Sequence, residues 1–144
     1  METTFETYFD FLGRLGHTLE QLTELARQKS LAVRNDDLAA VNDCMKQEQV
    51  ISLSLRGMEA KREKMLTELG LEGVPLSGLS ARCPEELRAR AREVSAQLRS
   101  KYNVYTSAAD VARNTLECNL HEIEKMLTET TGDPPERTFA DIRA

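Results

Sequence analysis

The residues best placed to do chemistry in this chain are His121 and Glu122, which match the opening of the helical zinc pattern H-E-x-x-H. That pattern needs a second histidine four residues on, where both imidazoles share one helix face and the glutamate serves as general base. Lys125 stands there instead, and the only other histidine, His17, is over a hundred residues away. The expected role of His121 is therefore a solvent-facing side chain, not a metal ligand. Three cysteines, Cys44, Cys83 and Cys118, form no C-x-x-C pair and are odd in number, which fits reduced thiols better than a disulfide framework. There is no glycine loop to cradle a phosphate and no G-x-S-x-G nucleophile elbow. The expectation is a protein with no catalytic site, no metal and no cofactor.

A second class of chemistry is nucleic-acid binding, and its nearest candidate is Arg82 to Lys101, where Arg88, Arg90, Arg92 and Arg99 face Glu85, Glu86 and Glu93. These arginines point in several directions around a helix, and no exposed aromatics interleave with them. Over the whole chain, 19 Lys and Arg stand against 24 Asp and Glu, a net charge of −5. Phosphate binding needs a local cation excess, so nucleic acid is excluded as principal partner.

The elements that must position any functional residue are helices. Aromatic residues make up 5% of the 144, tryptophan is absent, and glycine and proline are scarce at seven and four, so sheet and turn formers are few. Leu12, Leu15, Leu19, Leu22, Ala26, Lys29 and Val33 recur at spacings of three and four, a single helical stripe with Lys29 its one polar member. Phe5 and Tyr8 extend that stripe backwards, and Phe9 and Phe11 widen it, so a further helix should cover this end. The first helix is expected to start near Thr3 or Thr4, with Glu6 closing a capping box. Gly13 and Gly16 either admit a close neighbour or weaken the helix.

Asn35 and Asp36 break the stripe and read as the cap of a second helix. Downstream, Leu38, Val41, Met45, Ile51, Leu55, Met58, Met65 and Leu69 resume helical spacing, with Glu48, Ser52 and Arg62 on or beside the seam. The densely charged stretch Met58 to Met65 reads as a mainly solvated face. Residues 70–83 hold three glycines and a proline and read as the one long loop. Pro84-Glu-Glu86 then opens a third helix, with proline in its first turn and two carboxylates at the positive end of its dipole. Its stripe continues through Leu98, Tyr102, Tyr105, Ala112 and Leu116 to Leu127, until Gly132-Asp-Pro-Pro135 stops it. The expectation is one all-α domain over 1–131: an antiparallel hairpin of helices at about 3–33 and 36–69, and one long C-terminal helix at about 84–131. Residues 132–144 are expected to form a flexible tail.

At 1.5 Å per residue the last helix would outrun the hairpin by roughly 20 Å. Leu116, Leu120, Ile123, Met126 and Leu127 would then lack a partner within the chain, and an apolar stripe of that kind marks a protein-binding surface. Glu117, Glu122, Glu124 and Glu129 flank it with Lys125 alone opposing, which favours a partner helix with basic edges. No run approaches 18 apolar residues, and Met1 to Glu6 carry no cationic region before an apolar core, so the protein is expected in the cytoplasm with no membrane insertion.

A leucine-striped first helix, then Lys29, Leu31, Val33-Arg-Asn-Asp36, Leu38, Glu48-Gln49, Leu55, Glu59 and Arg62, a glycine-rich loop and one long final helix together resemble the FlgN-type flagellar export chaperones. Thr138-Phe-Ala-Asp-Ile-Arg143 resembles that family's short aromatic C-terminal motif, with Phe139 where tyrosine is expected. The resemblance implies a small acidic cytosolic protein that binds the C-terminal helical segments of hook-associated (hook–filament junction) proteins and delivers them to the flagellar export apparatus. A structural coiled-coil subunit would use the same stripes for self-association. The two differ in exchange, since a chaperone is at most a weak homo-oligomer whereas a scaffold is an obligate one.

Overall fold

The computed structural model describes residues 3–118 and Ile142. Among them there is no strand, and the chain is three long helices with short helical turns between the second and the last. Helix α1 spans Phe5–Arg34 and α2 spans Leu38–Glu68. A 3-10 turn at Leu76–Gly78, a four-residue α3 at Leu79–Arg82 and a second 3-10 turn at Glu85–Leu87 lead into α4, Arg88–Cys118.

Each helix end has an identifiable chemical cause. Thr4 caps α1: the Thr7 N–H donates to Thr4 Oγ1 at 3.1 Å, and the Thr4 N–H donates to Thr7 Oγ1 at 2.9 Å. Thr7 thus closes the capping box expected of Glu6, because a threonine hydroxyl reaches the same donor. At the far end of α1 the Asp36 N–H donates to the Val33 carbonyl and the Asp37 N–H to the Ala32 carbonyl, with Asp36 at φ 55°. That is a Schellman arrangement with aspartate in the left-handed position usually held by glycine. Asn35 is the last half-turn of α1, and the side chain that caps α2 is Asp37, which accepts from the Ala40 N–H at 3.1 Å. The capping role assigned to Asn35 and Asp36 therefore falls one residue later, because Asp36 spends its conformation on ending α1. Helix α2 ends the same way at Gly70, φ 75°, where the Leu71 N–H reaches the Leu66 carbonyl at 2.8 Å and both leucines enter the core.

Three contacts fix the direction of α4. Arg90 lies 3.5 Å from Asp10, Leu98 is packed beside Gly16, and Lys101 lies 3.2 Å from Glu20. Partners advance together along both helices, so α4 runs parallel to α1 and α2 runs antiparallel to both. Helix α1 is the middle element, and α4 lies closer along it than α2 does. Small residues allow this approach: a Cβ on Gly16 would stand 3.0 Å from Lys101 Cδ, and Ala91 and Ser95 of α4 are buried. Gly13 has open space around it, which settles the two glycines differently.

The main core gathers Tyr8, Phe9, Phe11, Leu12, Leu15, Leu19 and Leu22 of α1 with Leu55, Met65 and Leu66 of α2 and Ala91, Leu98, Tyr102 and Tyr105 of α4. The aromatic start of α1 is covered as expected, and cations complete the cover: Arg90 lies over the Phe9 ring at 5.5 Å and Lys61 over Phe11 at 5.6 Å. Leu71, Leu76, Leu79 and Cys83 join this core, so residues 70–83 are a packed strap and not an open loop. Ile142 is fully buried in the same cluster. A smaller cluster of Ala32, Val33 and Val41 closes the turn end of the hairpin.

Candidate functional site

Among the described residues a concavity lies between the C-terminal half of α1 and the middle of α4, a groove of about 850 Å³. Arg27, Ser30, Leu31 and Arg34 line it from α1, at spacings that make one helical stripe. Ala96, Arg99, Ser100, Asn103, Val104, Ser107, Ala108 and Val111 line it from α4 with the same periodicity. These stripes lie beside the core-facing ones: Leu98, Tyr102 and Tyr105 turn inward, while Val104 and Val111 remain 45% and 49% exposed and Leu31 is 58% exposed. The floor is mostly small side chains, because two parallel helices in close approach leave a shallow furrow that only larger residues would fill.

Among the described residues the groove is lined by three guanidinium groups and no carboxylate. Arg27, Arg34 and Arg99 form no ion pair with any of the described residues. Ser30 is 5% exposed, and neither its Oγ nor Arg99 Nε has a hydrogen-bond partner among the described residues. A buried hydroxyl without a partner forgoes an interaction of about 1 kcal/mol, a cost carried here beneath the groove surface.

Of the residues expected to bind a partner, Leu116 is half-buried and packs on the Ala32, Val33 and Val41 cluster. The offset between α1 and α4 puts Cys118 level with the hairpin turn, so the described part of α4 does not outrun the hairpin. Leu120, Ile123, Met126 and Leu127 lie outside the described residues, as does His121. His17 is exposed, and no three metal-ligating side chains cluster among the described residues. In the stretch from Met58 to Met65, Lys61, Glu63 and Lys64 are exposed as expected of a mainly solvated face, and the exception is Arg62, which is 3% exposed and lies 3.1 Å from Glu59. Its stem fills the seam that the α2 stripe leaves between Leu55 and Met65.

Burial pushes the Cys44 thiol up, with the nearby Glu48 carboxylate adding to it and Lys29 opposing it. Burial likewise raises Cys83, with Arg88 opposing. Both thiols are buried and disfavoured as thiolates, whereas Cys118 is exposed. The Thr3 hydroxyl donates to Glu68 at 2.7 Å and holds that exposed carboxyl below its ordinary value. None of these groups faces the groove.

Sequence reasoning missed the groove because it ranked stripes by leucine content. Its signal was present in Leu31, Val104 and Val111, three apolar residues one step off the core register, among serines and alanines at spacings of three and four.

A family model described as FlgN protein matches residues 1–134. No curated protein and no solved structure matches the chain.

Proposed function

Because the chain belongs to the FlgN family, we propose that it is a cytoplasmic export chaperone for flagellar assembly. It binds the C-terminal amphipathic helical segments of hook-associated proteins, keeps them from assembling early and brings them to the export apparatus. The observation that carries this reading is the family match over 1–134, which takes in all three long helices and nearly the whole chain. Helix-rich architecture supports it, since a client helix is held by laying its apolar face along another helix. Among the described residues no helix is long and apolar enough to cross a membrane, which is compatible with it.

The client surface in this reading is the stripe Leu116, Leu120, Ile123, Met126 and Leu127. Leu116 packs on the Ala32, Val33 and Val41 cluster at the turn end of the hairpin. Co-purification with a hook-associated protein tests the function, and Ile123→Asp with Leu127→Asp tests the surface. The expected outcome is loss of the client with helicity and melting temperature nearly unchanged. Unfolding of the double variant would place the stripe in the core and move the client elsewhere.

A further inference from the structure

The groove between α1 and α4 is not needed for the stripe just described, and its chemistry is the opposite. We infer that it is a second docking site, which takes one amphipathic helix with acidic edges from a partner protein. The groove pairs an apolar and small-residue floor with Arg27, Arg34 and Arg99, while the protein as a whole carries a net charge of −5.

Shape sets the kind of occupant. The α4 lining runs from Ala96 to Val111, which at 1.5 Å per residue is roughly 22 Å, or about four helical turns. Two parallel helices offer a furrow along their common axis, and a third helix is the body that fills a furrow of that length. Its apolar face would lie on Leu31, Val104 and Val111, which together leave an exposed apolar strip that water covers poorly.

Charge sets the edges. Arg27 and Arg34 are exposed and each offers a planar fork of donors suited to a carboxylate, while Arg99 is half-buried with its Nε covered. Lysine edges on the ligand would meet three like charges and no acid. The stripe at Leu116 to Leu127 is flanked by Glu117, Glu122, Glu124 and Glu129 and favours basic edges. The two surfaces therefore discriminate between two helices by the sign of their flanks.

The test uses the full chain and two labelled synthetic helices of four to five turns with the same leucine and alanine face, one edged with glutamate and the other with lysine. Fluorescence anisotropy should show the glutamate peptide binding at least about tenfold more tightly, with the difference shrinking as salt rises, because exposed charges are screened. Combining Arg27→Glu and Arg34→Glu should reverse the preference, and Leu31→Ser with Val104→Ser should weaken both peptides. Leu31, Val104, Arg27 and Arg34 are exposed, so circular dichroism melts should stay near the parent curve. Equal binding of the two peptides, or a preference that the arginine reversal leaves intact, overturns the inference. So does a sedimentation mass of two chains that the same reversal splits, since the occupant would then be a second copy. Retention of a hook-associated protein by the arginine variant separates this site from the proposed client stripe, and the export reading stands or falls without it.

Discussion

Gly13 and Gly16 sit three residues apart on one helix, and their surroundings give them opposite meanings. A glycine in a helix interior costs up to about 1 kcal/mol relative to alanine, because its backbone has more freedom to lose. Gly13 is exposed, with nothing within 4 Å of where an added methyl would stand, so it forgoes that stability for no packing gain. At Gly16 a methyl would meet Lys101 Cδ at 3.0 Å, and Lys101 is also the partner of Glu20. Gly13→Ala should therefore raise the unfolding free energy by up to about 1 kcal/mol in urea titrations. Gly16→Ala should fall within about 0.5 kcal/mol of the parent, since the displaced lysine tip offsets the helix gain. A larger gain at Gly16 than at Gly13 would mean that the two helices are not in close approach. The sequence carries both alternatives for this pair, and only the position of α4 separates them.

Helix pairing depends on how polar residues in apolar stripes are matched. Lys29 is the one polar member of the first stripe and Glu48 an outlier in the second, and they meet at 2.7 Å with side chains 17% and 21% exposed. A largely buried pair of this kind contributes little net stability, yet removing one member strands the other. It also fixes how far α1 slides along α2, because any other register leaves both charges against leucine. Lys29→Met alone should cost about 1–3 kcal/mol by stranding the carboxylate, while Lys29→Met with Glu48→Leu should recover most of that loss. Equilibrium unfolding of the three variants decides it, and an additive double variant would show that the two charges are not coupled. The hairpin was legible because the first stripe stops after Val33 and the second starts at Leu38. The strap was not, because three glycines and a proline hide the anchoring of Leu76 and Leu79, whose spacing is too short to show a period. Nor could the stripes tell that α4 would be the closer neighbour of α1, a matter of the small residues Gly16, Ala91 and Ser95 rather than of large ones.

Among the described residues α1 lies at the centre, and apolar side chains are left over on two separate faces. Leu31, Val104 and Val111 border the groove, whereas Val50 and Leu53, both 68% exposed, stand on α2. An obligate homodimer typically buries at least about 2,000 Å² in all, with a core as apolar as a protein interior. Five large apolar residues divided between two faces do not make one such patch among the described residues, and the guanidinium groups beside three of them resist burial against a copy of the same surface. This distribution suits surfaces that exchange partners, which is the behaviour that separates a chaperone from a permanent coiled-coil subunit. Sedimentation velocity over about a hundredfold dilution should give a chain that is monomeric or in weak equilibrium with a dimer, with a hook-associated partner displacing any dimer. A fixed oligomer at every concentration, unmoved by that partner, would instead assign the apolar stripes to self-association and sink the export reading at the level of the whole particle.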